Sequence, residues 1–354
     1  MHPASPSSRS SRRKFLLGAA AGGVFMLGGR PLFAQASLGR AQFGIGGIDT
    51  IFLVPYVAMK KGYFAEAGLD IEHINTQSGP RTRQSVAAGQ VLVGMAAAVD
   101  APSVTLAGRP ATLICGTDKR VTYANVLVHK DDYDSGKIRS VKDLTGQRMG
   151  VTQPQSGSWL MALYLIEKAG LKGKTEVRGL GDLATMLGAI KTKQVGATMA
   201  TMSMVQQARQ EGFGVPILDI ANEASWNEAF GGDVPGAGIY VLRDSIQKRP
   251  EHIQAVVNGL VKAQDFMNSN TPEAITDLVY ADYLSSFQRD AIVSTLATYQ
   301  KSVWLKDNII TPEAYARLLE IMGGDRQFPD AELKKAPYDQ VVDMSFVRKA
   351  RGIA

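Results

Sequence analysis

The sequence predicts an α/β protein of two similar lobes facing each other across a cleft, and two echoes carry that prediction. Glu66-Ala67-Gly68-Leu69 returns as Glu167-Lys168-Ala169-Gly170-Leu171, about a hundred residues on. Val86-Ala87-Ala88-Gly89-Gln90-Val91, followed by Met95-Ala96, returns as Ile190-Lys191-Thr192-Lys193-Gln194-Val195, followed by Met199-Ala200. Both stretches run helix, Gly-Leu turn, strand, helix, Gln-Val and apolar strand. A βαβαβ-like unit with right-handed crossovers, repeated once, makes two α/β lobes, and the cleft between them is a place to hold a ligand.

The elements follow in order. Residues 42–46 open as a short strand, and Gly47-Ile48-Asp49-Thr50 turns into an amphipathic helix that reaches Lys61. Residues 69–74 alternate as a second strand. Thr76-Gln77-Ser78-Gly79-Pro80 suits a helix start, and that helix ends at Gly89. Residues 91–98 form a continuous apolar run, as a strand buried on both faces should be. Asp100-Ala101-Pro102 begins another helix, and Val126-Leu127-Val128 reads as a strand leaving the first lobe. Residues 148–152 begin lobe two. Gln155-Ser156-Gly157-Ser158 then opens a helix over 159–169, presenting free N–H groups at the positive end of the helix dipole. Ile239-Tyr240-Val241-Leu242 returns to lobe one, preceded by the Gly-rich residues 231–236. Helices follow from Pro250, with Pro272 and Pro312 near helix starts. The chain therefore crosses between lobes twice, near 123–128 and 235–239, which forms a hinge.

The amino terminus reads as processing information rather than fold. Ser11-Arg12-Arg13-Lys14-Phe15-Leu16-Leu17 is a twin-arginine start, followed by a mild apolar run and Ala34-Gln35-Ala36 as a small-x-small cleavage site. Gly18, Gly22, Gly23, Gly28 and Gly29 interrupt the run, which falls short of the roughly 18 apolar residues of a spanning helix. Residues 1–36 are thus expected to be a cleaved signal peptide, leaving 37–125 as the first part of lobe I, 126–237 as lobe II and 238–354 as the return strand and C-terminal helices. The leader holds Arg9, Arg12, Arg13, Lys14 and Arg30 and no acid, so the formal charge of +6 falls by five to +1. That balance offers no footing for nucleic acid. Cys115 is the lone cysteine and sits in an apolar run, where it serves as a small buried hydrophobe.

Val54-Pro55-Tyr56-Val57-Ala58, Lys61-Gly62-Tyr63-Phe64, Ala67-Gly68-Leu69-Asp70-Ile71 and the run from Val141-Lys142-Asp143-Leu144 to Gly150-Val151 resemble one family. It is that of the periplasmic solute-binding proteins of ABC importers for nitrate, sulfonates, taurine and thiamine-pyrimidine precursors. The resemblance runs in order over residues 42–270. It implies a type II periplasmic-binding-protein fold whose lobes close on a small molecule by a hinge, a motion for which these proteins are a standing example. It also implies the ligand-facing positions. In lobe I these are Asp49 and Thr50, Gln77 to Gly79 with Ser78 between them, and Ala98, Val99 and Asp100. In lobe II they are Gln155, Ser156, Gly157, Ser158 and Thr201 to Ser203 with Met202, while Tyr123 and Pro235 line the back. The implied partners are a small-molecule ligand and an inner-membrane ABC permease, for a monomer without cofactor or metal. The chain departs from the family pattern at Ala98 and Val99, where small hydroxyl residues are common, and at Leu92 and Gly196, where an aspartate is. Losing those hydroxyls removes two donors for a bare oxyanion, so an organic solute is expected.

Catalysis is poorly signposted. His2, His73, His129 and His252 show no metal-ligand spacing, and there is no Gly-x-Ser-x-Gly and no Walker-type loop. An enzyme on this fold, lyase-like and acting on a small organic acid, would need a perturbed acid deep in the cleft. Asp49, Asp100 and Asp182 are the candidates. A ligand sensor is the third reading. Met199, Met202 and Met204, with Trp159 and Trp226, could face an aromatic ligand or simply fill core. Among Arg81, Arg83 and Arg120, each more often a solvated surface residue, Arg120 is the best placed to meet a carboxylate.

Overall fold

The computed structural model describes residues 37–353, and the leader assigned to residues 1–36 lies outside them. Among the described residues, ten strands form two five-stranded sheets. Strands β1 (Gly39–Ile45), β2 (Leu69–Asn75), β3 (Val93–Ala97) and β4 (Ala111–Gly116) belong to the first sheet. Strands β5 (Asn125–His129), β6 (Arg148–Val151), β7 (Glu176–Gly179), β8 (Ala197–Ala200) and β9 (Gly214–Leu218) make the second. Strand β10 (Ala237–Leu242) returns to the first.

The orders are β2-β1-β3-β10-β4 and β7-β6-β8-β5-β9, so the sheets share one plan. In each, three strands run parallel, as β1 does with β2 and β3, and β6 with β7 and β8. In each, one antiparallel strand is inserted between the third strand and the edge. That inserted strand comes from a crossing: β5 enters the second sheet straight after β4, and β10 enters the first after β9. Residues 126–128, expected as the strand that leaves the first lobe, lie in β5 of the second sheet. The repeat visible in the sequence covers only the parallel strands. Strands β7 and β9 have short, half-exposed patterns that periodicity does not single out.

The strands of the first sheet that meet the hinge are buried and largely apolar. Strands β4 and β10 are buried along their whole length, and Cys115 lies fully buried in β4. Helices cover the sheet faces, as parallel strands require. The Pro250–Ser269 helix packs on the Leu53–Lys60 helix of the first lobe. Other C-terminal helices reach across: Arg289–Ser302 packs on Met202–Gln210, and Pro312–Gly323 on Gly157–Lys168. Among the described residues, no helix is long and apolar enough to cross a membrane.

Candidate functional site

Loops leaving the carboxyl ends of the parallel strands meet between the sheets, the usual place for ligands in open α/β folds. A cavity of ≈ 60 Å³ lies there. Lobe I lines it with Gly46, Ile51, Phe52, Gln77, Ser78, Gly79, Ala96 and Ala97. Lobe II adds Thr152, Ser156, Gly157, Ser158 and Leu183, and the crossings add Tyr123 and Ala237. Residues of both lobes thus enclose this space together.

The two helices that point at this cavity are prepared differently. Gln77 (φ 68°) and Gln155 (φ 63°) both sit in the left-handed region just ahead of a serine N-cap. For non-glycine residues that conformation costs roughly 1–3 kcal/mol and clusters at functional sites. Ser156 caps the Gly157–Lys168 helix in the ordinary way, its Oγ accepting from Trp159 N at 3.2 Å. Ser78 occupies the same position on the Gly79–Ala87 helix but makes no side-chain cap. Its hydroxyl donates instead to Gln153 Oε1 in the other lobe, at 3.2 Å. The first turn of that helix is left uncapped at the cavity.

On the lobe II wall three hydroxyls form a chain. Ser158 Oγ accepts from Thr152 N at 3.1 Å and lies 3.0 Å from both Thr152 Oγ1 and Ser156 Oγ. Two links consume two of the three hydroxyl protons, leaving one to donate elsewhere. Ser158→Ala removes the hub and strands the Thr152 amide. We expect a loss of about 1–2 kcal/mol in denaturant unfolding and roughly five- to tenfold weaker solute binding in titration calorimetry.

Charged groups stand behind the cavity; none of its lining side chains carries a charge. Asp100 is fully buried and paired with Arg83 Nη1 at 2.5 Å, and Arg83 Nη2 donates to the Gln155 carbonyl across the cleft at 3.0 Å. Burial raises the Asp100 pKa and the Arg83 charge opposes the rise. Asp49 is also fully buried and raised by burial, with the hydroxyls of Ser203, Thr201 and Thr50 and the Ile51 amide opposing it. Its Oδ2 accepts from Thr201 Oγ1 at 2.9 Å and Ser203 Oγ at 2.5 Å, both in lobe II. Asp118, which the sequence reading passed over, is buried at the first crossing, and burial pushes it up to about 7. Asp182 is no buried acid: it is exposed and caps the Leu183–Lys191 helix through Thr185 N.

Of the expected ligand-facing residues, Gln77, Ser78, Gly79, Tyr123, Ser156, Gly157 and Ser158 line the cavity. Asp49, Thr50 and Thr201 are buried in direct cross-lobe hydrogen bonding. Ala98, Val99 and Asp100 lie in the packed core behind β3, and Pro235 is buried at the second crossing. Gln155 is exposed and reaches the site through its carbonyl. Met199, Met202, Met204 and Trp226 are buried away from the lining. Arg120 turns to the second crossing, donating to the Ile220 carbonyl at 2.9 Å, and Arg81 binds Gln77 Oε1. Thr152, Gln153 and Leu183 were not anticipated; the Thr and Gln flank the Gly-Ser turn, which was the available signal.

Comparison with known proteins agrees with this fold. The Bacillus subtilis (strain 168) protein YtlA, named as a candidate binding protein, is 21% identical over 305 residues, spanning 85% of this chain and 86% of YtlA. A solved structure from Bordetella bronchiseptica RB50 superposes with a TM-score of 0.79 at 22% identity, covering 88% of this chain and 97% of that one. The alkanesulfonate-binding protein SsuA from Xanthomonas axonopodis pv. citri, bound to MOPS, gives 0.68 at 16% identity, covering 88% and 100%. These likenesses establish the two-lobe binding-protein fold. The family model described as NMT1/THI5 like matches residues 50–274, and since that is more than half of the sequence, the chain belongs to this family.

Proposed function

We propose that the chain is the solute-binding component of an ABC importer. It captures a small organic solute between its lobes and delivers it to an inner-membrane permease. In this reading residues 1–36 direct export by the twin-arginine route and are removed near Ala36, and the mature protein is a periplasmic monomer. Lobe I comprises 37–125 and 238–354, and lobe II 126–237. The observation that carries the proposal is the cavity lined from both lobes and crossed by the Ser78–Gln153 and Arg83–Gln155 hydrogen bonds. A solute held by both walls favours the closed form, which a permease can distinguish from the open one.

The lining suggests the chemistry of the solute. It offers the Tyr123 hydroxyl, one spare proton of the Thr152-Ser156-Ser158 chain and the uncapped first turn of the Gly79–Ala87 helix. Gln153 Oε1 and Gln77 Oε1 already accept from Ser78 and Arg81. The site thus favours a solute whose head accepts hydrogen bonds, as organic acids, sulfonates, aromatic acids and pyrimidines do, with a short apolar body against Ile51, Phe52 and Leu183. Binding without chemistry is the better reading because the buried acids are engaged elsewhere. Asp49 holds hydroxyls, Asp100 holds Arg83, and neither lines the cavity.

A thermal-shift panel on residues 37–354 tests the proposal, using alkanesulfonates, nitrate, aromatic carboxylates, pyrimidines and short organic acids. A solute at a hundred times its dissociation constant stabilises by about 2.7 kcal/mol. A saturable rise with one class, and recovery of that solute unchanged, is expected. Conversion of the solute would overturn the binding-only reading in favour of an enzyme.

A further inference from the structure

We propose that Asp49 is a resident lobe latch, a carboxylate of lobe I that engages the N-terminal hydroxyls of the Met202–Gln210 helix of lobe II and confines solute to the other half of the cleft. The proposal does not depend on the identity of the solute. Asp49 follows β1 and caps the short Thr50–Phe52 turn, its Oδ1 accepting from Ile51 N at 3.1 Å and from Thr50 Oγ1 at 3.0 Å. This fixes the carboxylate to lobe I and leaves Oδ2 for the opposite lobe. There Thr201 is the N-cap of the Met202–Gln210 helix, its Oγ1 accepting from Met204 N at 3.3 Å while donating to Asp49 Oδ2. Ser203, in the first turn, donates to the same oxygen, and Thr50 Oγ1 stands 3.5 Å from Ser203 Oγ.

Asp49, Thr50, Thr201 and Ser203 are all at most 1% exposed, so these bonds form without competition from water. Hydrogen bonds to an ionised or partly desolvated carboxylate are among the stronger ones. The helix dipole favours an acceptor at this end. An acceptor head of a solute could use the same group of donors, but the protein's own carboxylate is already on it. The solute is therefore left with the Gly79–Ala87 and Gly157–Lys168 helix ends, where the cavity lies. The latch joins the lobes whether or not a solute is present, so the unliganded protein has a substantial closed population.

Spin labels at Gln90→Cys in lobe I and Gln210→Cys in lobe II, both exposed positions, report the distance between lobes, with the buried Cys115 left as a spectator. The expected result is a substantial short-distance population in the unliganded protein. It should lose most of its amplitude to a longer one in Asp49→Ala and, independently, in Thr201→Val/Ser203→Ala. The second pair acts from lobe II, so the test survives if Asp49→Ala folds poorly. Wild-type distances retained in both variants, or a fully open unliganded wild type, would overturn the latch. Neither outcome bears on whether the cavity binds a solute, which the thermal panel decides separately.

Discussion

Gly157→Leu weakens solute binding by roughly a hundredfold and leaves both lobes folded. A Cβ at residue 157 would lie 2.5 Å from both Ala97 Cβ and the Tyr123 hydroxyl, and 2.8 Å from Tyr123 Cζ. Gly157 is the first residue of a lobe II helix, Ala97 ends β3 in lobe I, and Tyr123 stands at the first crossing. In a single core such overpacking costs about 1–3 kcal/mol. Here the colliding surfaces sit on lobes joined by a hinge, so parting the lobes relieves the clash, and the penalty falls on the closed state. A penalty at the upper end of that range is roughly a hundredfold in affinity. Gly157→Ala should behave similarly, because the Cβ itself makes the collision. Titration calorimetry against the solute found in the thermal panel, paired with a melting curve, checks this. Near-wild-type affinity with either variant would remove the loop from the closure surface.

Asp118→Ala destabilises the protein by about 2–6 kcal/mol at pH 5. The Asp118 carboxylate accepts from Gly236 N at 2.5 Å and Ala237 N at 3.1 Å, and from Thr117 Oγ1 at 3.3 Å. It joins the end of β4 to the start of β10, pinning the two crossings of the hinge together. Val234 N, bonded to the Lys119 carbonyl at 2.9 Å, continues the same seam. Alanine leaves two buried amides unmet, each worth roughly 1–3 kcal/mol. The pH dependence has a definite sign. Burial raises the Asp118 pKa from an ordinary 3.8 to about 7, so between those values the folded protein holds a proton that the unfolded chain has lost. Stability contributed at this site is therefore fully present below about pH 4, falls as pH rises through about 7, and is flat beyond. Asp118→Asn keeps an acceptor but cannot ionise. From pH 5 to pH 8 the wild type should lose about 2–3 kcal/mol relative to this variant in denaturant unfolding. Parallel profiles would show that Asp118 is ionised throughout.

What could be read in the sequence follows from what side-chain pattern encodes. The apolar run at residues 91–98 announces a strand covered on both faces, and β3 occupies Val93–Ala97. Gly157 stood out because a Gly-Ser turn before a helix has a backbone reason to exist. Direction within a buried loop has no such signature. Arg83 and Arg120 are alike as letters, yet Arg83 meets Asp100 at the cleft and Arg120 meets a carbonyl at the crossing. Asp182 was offered as a buried acid and Asp118 was not considered, because only the approach of Gly236 and Ala237, more than a hundred residues away, buries Asp118. Asp49 and Thr201 belong to the cleft but bind each other, a pairing across 152 residues that no local pattern displays.

The exchange of antiparallel strands between the sheets also sets the order in which the polypeptide can mature. A nascent chain that has reached residue 218 possesses every strand of the second sheet, β5 through β9. The first sheet still lacks β10, the strand that lies between β3 and β4 and pairs with both. Until residue 237 is made, β3 and β4 present unpaired backbone along strands that are almost wholly apolar, the condition under which edges associate with other chains. The second sheet is therefore able to close first, within an unfinished host, while part of its helical cover waits for Arg289–Ser302 and Pro312–Gly323. Chains interrupted between residues 219 and 236 combine one completed sheet with one open one. Such chains are expected to aggregate more readily than chains that include β10.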